Sequence, residues 1–171
     1  MSTFGVLISN RSFFPDHLVL EARETLLDCL QKWGHQVITL SPEETNMGET
    51  MTYDEAVRCA ELFRRNGDII DGIIICLPNF GEEAGIADAI RMSRLDCPIL
   101  IQACDDDFDR LQLENRRDAF CGKLSLCNNL YQYGIKYTLT SRHTCAIDSE
   151  EFAADVARFS RICAVVKKLR H

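Results

Sequence analysis

Short apolar runs alternate with amphipathic segments along the whole 171-residue chain. The runs FGVLIS, DIIDGIIICLP and CPILIQAC are rich in Ile, Leu and Val, which is typical of strands buried on both faces. Between them lie segments whose apolar residues recur every three or four positions, as in a helix with one buried face. Because right-handed crossovers cover a parallel sheet with helices on both faces, this alternation predicts a three-layer α/β fold with a five-stranded, mostly parallel sheet.

The same pattern gives approximate bounds for each element. Strands are expected over residues 4–9, 35–40, 68–78, 97–104 and 135–140, with Ile73–Leu77 in the centre of the sheet. Helices are expected over residues 15–33, 53–67, 84–95, 116–133 and 148–169, the first stopped by Gly34 and the last capped by Asp148 or Ser149. Since no repeat or linker interrupts the pattern, residues 1–171 are expected to form a single α/β domain.

Charge and composition exclude several classes of protein. The net charge of -7 argues against a nucleic-acid partner, which needs a basic face. No apolar stretch is long enough to span a bilayer, and the N-terminus has no signal-peptide pattern, so neither a membrane partner nor export is expected. The nine cysteines form no C-x-x-C pair, which favours free thiols in a reducing cytoplasm.

In open parallel sheets, ligands bind at the carboxyl ends of the strands, near the point where the strand order reverses. Four loops are expected there, at residues 9–14, 78–82, 104–109 and 116–122. The first loop, SNRSFFPD, has no glycine to admit a phosphate and no acidic residue at the end of the strand. Dinucleotide-binding, P-loop and receiver-domain functions are therefore disfavoured. The two serines of this loop are few for the hydroxyl-rich loop that binds a flavin.

Several residues near these loops have a functional and a structural interpretation. Arg11 could bind an anionic or polyhydroxylated ligand, or it could be a solvated arginine. The adjacent Phe13 and Phe14 could wall a sugar-like ligand or belong to the core. The run CDDDFD offers oxygen ligands but lacks the spacing of a calcium loop. The four histidines are scattered, and no nucleophile has a base beside it, so the residues alone show no complete catalytic set.

Three segments carry a resemblance to a known family: FGVLISNRSFFPDHLVLEARETL, DGIIICLPNFGEEAGIADAI and RRDAFCGKLSLCNNLYQYGIKY. Together they resemble the N-terminal domain of the L-fucose/L-arabinose isomerase-like family, over essentially the whole chain and in order. The most specific piece is DAFCGKLSLCNNLYQYGI, with Cys-Gly at a helix start and Gly-Ile before the last strand. The resemblance implies a flavodoxin- or Rossmann-like domain of a larger multi-domain protein.

The resemblance also implies a function. Members of that family isomerise aldoses to ketoses through an enediol, with a divalent metal, usually Mn²⁺, polarising the substrate oxygens. The metal ligands belong to later domains, so this chain is expected to bind no metal itself and to be inactive alone. The implied partners are a monosaccharide, the C-terminal domains and neighbouring subunits of a homo-oligomer, either a trimer or a hexamer.

By this resemblance, six residues take a substrate-contact role and none a catalytic one: Arg11, Phe13, Asn79, Phe80, Asp118 and Cys121. Asn79 and Phe80 are alternatives for one aromatic position in the family pattern. Cys121 stands where the arabinose branch carries a histidine, which departs from a direct arabinose isomerase assignment.

Two other functions fit the residues. The chain could be a stand-alone flavodoxin-like module that binds a small ligand or a partner without catalysis, or a small flavin redox protein. The identity of the sugar stays open, because an arginine at position 11 accepts an anionic substituent as well as a hydroxyl.

Overall fold

The computed structural model describes residues 1–170, which form five strands and five α-helices in strict alternation. The strands are β1 (Thr3–Ile8), β2 (Gln36–Ile38), β3 (Gly72–Leu77), β4 (Ile99–Ala103) and β5 (Thr138–Leu139). The helices are α1 (Asp16–Lys32), α2 (Tyr53–Arg65), α3 (Glu83–Ser93), α4 (Ala119–Gln132) and α5 (Glu150–Arg170), and a short 3-10 turn covers Asn46–Gly48.

The five strands form one sheet in the order β2-β1-β3-β4-β5, and every neighbouring pair is parallel. The predicted α/β class is confirmed, and the sheet is fully parallel rather than mostly so. The central strand β3 is buried along its whole length, as its unbroken apolar sequence predicts. The strand order reverses between β1 and β3, which makes the carboxyl ends of these two strands the topological switch point.

Alternation of side chains along the strands divides the core into two layers. On one face, Leu7, Ile73 and Ile75 pack with Phe63 of α2, Ile86 of α3 and Leu126 of α4. On the other face, Phe4, Val6 and Ile74 pack with Leu26 of α1 and Phe159 of α5. Helices α2, α3 and α4 therefore cover one face and α1 and α5 the other, which gives the three-layer, flavodoxin-like arrangement.

The elements at the edges of the sheet differ from the predicted bounds. The strands β2 and β5 are shorter than expected because edge strands pair on one side only, and their apolar flanks continue as loops. Helix α4 begins at Ala119 instead of residue 116, since Asp118 adopts a left-handed conformation with φ 49° that helical residues do not take. Ser149, not Asp148, caps α5 by accepting a hydrogen bond from the Phe152 amide at 3.2 Å.

Within the described part of the chain, no helix combines the length and the apolar character needed to cross a membrane.

Candidate functional site

The loops that follow β1 and β3 meet at the topological switch point. The chain leaves β1 toward α1 on one face of the sheet, and leaves β3 toward α3 on the other. The two exits therefore separate and leave a crevice between them, which is where ligands bind in sheets of this topology. We call this crevice the switch-point mouth; its walls are residues 9–15, 50–53 and 79–88.

Ser9 and Asn10 hold the walls of the mouth together. The Ser9 hydroxyl donates to the Thr50 carbonyl at 2.6 Å and accepts from the Glu82 amide at 3.0 Å. The Asn10 amide donates to Asp16 at 3.0 Å, and its carbonyl oxygen accepts from Asn79 at 2.7 Å. Both side chains are fully buried or nearly so. Their role is to fix the three loops relative to one another, so they are unavailable to a ligand.

Arg11 lies between two acidic residues at the start of α3. Its Nη2 forms an ion pair with Glu83, and its Nε lies 3.4 Å from the Glu82 carboxylate. The guanidinium also lies over the Phe80 ring, with its central carbon 4.3 Å from the ring centroid. Two carboxylates thus face one guanidinium, and this part of the mouth carries no excess positive charge.

Three phenylalanines form a continuous aromatic strip beside Arg11. The rings of Phe13 and Phe14 are 4.9 Å apart, and those of Phe14 and Phe80 are stacked at 6.1 Å. Phe13 is three-quarters exposed although it is large and apolar. An exposed ring held at the end of a packed strip is the arrangement in which aromatic faces cover the C–H groups of a ligand.

Asn79 and Phe80, the alternatives for one aromatic position of the family pattern, have different surroundings. Asn79 is fully buried, donates to Asn10 and accepts from the Gly81 amide at 3.3 Å. Phe80 is only partly buried and contacts Arg11 and Phe14. Of the two, Phe80 therefore has the surface that a ligand in the mouth can touch, and Asn79 positions the loop.

The first turn of α4 packs directly on the loop that carries Phe80. A Cβ atom placed on Gly122 would lie 1.7 Å from the Phe80 carbonyl oxygen, so only glycine permits this contact. Arg117 donates to the Pro78 carbonyl at 2.9 Å and strengthens the same junction. In the same stretch, Cys121 is exposed and Asp118 is partly buried. The Asp118 carboxylate pairs with Arg116.

A second contact links α4 to the acidic pair that faces Arg11. The Ser125 hydroxyl donates to Glu83 at 3.1 Å, on the oxygen that does not pair with Arg11. Glu83 is thus held by one hydroxyl and one guanidinium. Helix α4 therefore reaches the mouth through Ser125 as well as through Gly122.

The mouth opens into a cavity of about 430 Å³ beside the loop of Arg11. Its lining combines the polar or aromatic residues Ser12, Thr52, Tyr53, Glu82 and Asp88 with the apolar Met51, Ala84 and Gly85. Such a lining can accept and donate several hydrogen bonds at once while a ring covers an apolar face, which suits a polyhydroxylated ligand.

The buried carboxylic acid of Glu49 lies next to the wall of the mouth. Glu49 has no solvent exposure, and it immediately precedes Thr50, whose carbonyl accepts from Ser9. Burial raises the pKa of Glu49 to about 7, and the hydrogen bond from Asn46 only partly opposes this effect. Glu49 therefore holds its proton up to neutral pH.

The described part of the chain brings no metal-ligand cluster together at the mouth. Among residues 1–170, no three His, Cys, Asp or Glu side chains are placed to hold a metal ion. The side chains of the described residues therefore supply no ligand set that fits a divalent metal. The mouth presents an aromatic surface, paired charges and hydroxyl groups.

The fold defines a flavodoxin-like α/β domain with a crevice at its topological switch point. The family model for the fucose/sulfoquinovose isomerase N-terminal domain matches residues 5–170, and the chain belongs to this family. A direct search of curated protein sequences gives no match. The resemblance drawn from the sequence is thereby confirmed at the level of the family.

Sequence reasoning brought Arg11, Phe13 and Phe80 to one mouth but missed the residues around them. Glu82 and Glu83 were not linked to Arg11, and Thr52 and Tyr53 were not placed in the site. The sequence does contain an indication of Thr52 and Tyr53, because TYDE at residues 52–55 is a capping-box sequence that marks the start of a helix. A helix that follows a parallel strand begins at the carboxyl edge of the sheet, so this cap marks residues 52 and 53 as neighbours of the mouth.

Proposed function

We propose that this chain is the N-terminal substrate-contacting domain of an aldose–ketose isomerase. The observation that carries the proposal is the coincidence of the family match with an aromatic and hydroxyl-lined mouth at the topological switch point. Arg11, Phe13 and Phe80 contact the sugar, as do Asp118 and Cys121, while Asn79 holds the loop in place. The domain contributes binding, and the proton transfers of the isomerisation belong to residues outside this chain.

The charges around Arg11 favour an uncharged sugar as the substrate. Glu82 and Glu83 already neutralise the guanidinium, and the Asp88 carboxylate that lines the cavity is itself paired with Arg91. A sulfonate, phosphate or carboxylate placed here would meet these acids without a free cation to offset them. Sugar hydroxyls, in contrast, donate readily to carboxylates.

The divalent metal and the assembly form part of the same proposal. A Mn²⁺ ion would be held by glutamate, aspartate and histidine side chains of C-terminal domains, and its chemistry is to polarise the sugar oxygens. The domain would meet those C-terminal domains and neighbouring subunits in a cytoplasmic homo-oligomer, a trimer or a hexamer.

The proposal is tested by titrating the isotopically labelled chain with L-fucose and, separately, with the anionic sugar sulfoquinovose, and following the backbone amides by NMR. We expect L-fucose to shift the amides of residues 10–14 and 80–83, and sulfoquinovose to leave them in place. Arg11→Ala should weaken L-fucose binding roughly 10- to 100-fold, because a charge-assisted hydrogen bond contributes about 1.5–3 kcal/mol. Arg64→Ala, at an exposed position of α2, is the matched control and should bind as the unmodified chain does.

A parallel assay of the purified chain with Mn²⁺ and a panel of aldoses should show no turnover. Turnover would contradict the assignment of the catalytic groups to other domains, and shifts confined to residues outside the mouth would contradict the site. A yellow preparation with flavin absorbance would favour the flavin redox alternative instead.

A further inference from the structure

The edge of the sheet opposite the mouth carries a groove of about 680 Å³. It lies beneath the amino ends of β4 and β5, between the last turns of α3 and α5. Apolar side chains such as Ile99 and Tyr137 line its floor. Four basic residues and one acidic residue surround this floor: Arg91, Arg94, Lys136, Arg170 and Asp96. We call it the basic groove.

Two of these basic side chains are free to bind a partner. Within residues 1–170, Arg94 and Lys136 form no ion pair or side-chain hydrogen bond, and both are exposed. Arg170 pairs with Asp96, which is itself nine-tenths exposed, and Arg91 pairs with Asp88 outside the groove. In a chain with a net charge of -7, a concave surface with an excess of positive charge is an exception that favours an acidic partner.

A segment with the complementary character lies at the carboxyl edge of the sheet. Residues 105–115, DDDFDRLQLEN, follow β4 and contain five acidic residues and one arginine. Three large apolar side chains project from it into solvent, with exposures of 87% for Phe108, 54% for Leu111 and 81% for Leu113. We call this segment the acidic loop. Exposed apolar residues grouped within an acidic segment mark an interaction surface rather than an ordinary solvated loop.

We propose that the acidic loop of one copy of this chain docks in the basic groove of a second copy. Phe108 and the two leucines cover the apolar floor, and the aspartates pair with Arg94 and Lys136. The contact has to be intermolecular, because β4 separates its own acidic loop at one end from its own basic groove at the other. The complementarity is therefore heterologous, and copies associate head to tail.

Head-to-tail contacts determine how many copies can join the assembly. A heterologous contact leaves one free loop and one free groove in a dimer, so further chains add, forming a ring where the rotation closes and an open filament where it does not. The proposal does not rest on sugar binding, since the groove and the switch-point mouth lie at opposite edges of the sheet. Its failure would leave the proposed function standing, and the reverse also holds.

The test is sedimentation velocity of the purified chain over a range of concentrations, with two charge-reversal variants. The unmodified chain should form concentration-dependent species larger than a dimer, weakened by salt. Arg94→Glu/Lys136→Glu and Asp107→Lys/Asp109→Lys should each weaken self-association at least tenfold, because like charges then face each other. An equal mixture of the two variants should associate again, since the mixture contains one native groove and one native loop. Failure of the mixture to associate would overturn the proposal.

Two further variants separate docking from a general effect of charge or apolar surface. Phe108→Ala/Leu113→Ala should weaken association without changing the net charge. Arg64→Glu/Arg65→Glu on α2 reverses the same number of charges at residues that do not line the groove, and Leu20→Ala removes an exposed apolar side chain of α1; both should associate as the unmodified chain does. A chain that stays monomeric at every concentration, or that associates equally well in all variants, contradicts the proposal.

Discussion

Glu49 shows how a single side chain links the mouth to the stability of the whole fold. Its carboxylate is inaccessible to solvent, and within the described residues its Oε2 atom has no hydrogen-bond partner. Burial is the main cause of its raised pKa, and the nearby Glu55 and Asp16 carboxylates act in the same direction. An ionised Glu49 would be a buried charge with one amide partner, which the fold tolerates poorly.

This environment predicts a pH dependence of stability. The pKa of Glu49 rises from 4.5 to about 7 on folding, so the native state binds its proton more tightly than the unfolded chain does. The stability that protonated Glu49 contributes is fully present below pH 4.5 and is lost as the pH rises through 7. The loss amounts to at most about 3 kcal/mol, measurable by urea unfolding across this range.

Glu49→Gln is the matched variant, because the amide has the same shape and does not titrate. Its free energy of unfolding should lack the decline that the unmodified chain shows between pH 4.5 and 7. Glu43→Gln, at an exposed position of the same connection, should retain that decline. An equal pH dependence in the unmodified chain and in Glu49→Gln would contradict the raised pKa.

Helix α4 connects the wall of the mouth to the core. Its buried residues Leu126 and Leu130 pack against the sheet, while its first turn lies against the carbonyl group of Phe80. The position of the Phe80 ring thus depends on how closely this helix approaches. The absence of a side chain at Gly122 sets that approach.

Gly122→Ala should therefore displace the helix from the loop. A Cβ atom 1.7 Å from backbone cannot be accommodated by a side-chain rotation, so the loop or the helix has to move. We expect a loss of about 3 kcal/mol in the free energy of unfolding, measured by urea denaturation, and altered amide shifts at residues 79–82. Unchanged stability would show that the contact is not tight.

Gly34→Ala is the matched control for this substitution. Gly34 follows α1 with φ 81°, and nothing lies within 4 Å of its Cβ position. Alanine there costs only the strain of a left-handed backbone, about 1 kcal/mol, and should leave the mouth unchanged. The difference between the two variants separates steric displacement from conformational strain.

The elements that the sequence predicts well are those with a strong local pattern. The five consecutive apolar residues Ile73–Leu77 identify the central strand, and the capping residues and glycines place most helix ends within a few positions. The start of α4 was placed too early because the left-handed conformation of Asp118 depends on distant contacts. The carboxylate of Asp106 accepts from the amides of Arg117 and Asp118 at 3.3 and 3.2 Å, a contact that local periodicity cannot reveal.

At the scale of the whole molecule, the carboxyl ends of the predicted strands indicated where the mouth lies. The charge distribution around the mouth could not be predicted from the sequence. Arg11 and Glu83 are separated by 72 positions, and only the pairing of β1 with β3 brings them together. From the sequence, Arg11 could be free to bind a ligand. In the fold, its guanidinium is already paired with Glu82 and Glu83. Under the proposed function, this difference favours a neutral sugar over an anionic one.

The nine thiols offer a measurement on the whole molecule. All are free; six are buried, Cys97 and Cys127 are partly exposed, and Cys121 alone is exposed. Burial raises the pKa of Cys97 to about 11 and raises that of Cys127 as well, which depletes their reactive thiolate form. A disulfide exchange reagent should therefore modify Cys121 quickly, these two slowly and the other six only after unfolding.

The fast phase also reports on the mouth, because Cys121 lies one residue before the glycine that contacts Phe80. Cys121→Ser should remove the fast phase and leave the slower phases unchanged. Under the proposed function, L-fucose at saturating concentration should slow the modification of Cys121 and leave the rate at Cys97, on the opposite edge of the sheet, unaffected. An equal rate at Cys121 with and without the sugar would contradict a substrate contact at Cys121.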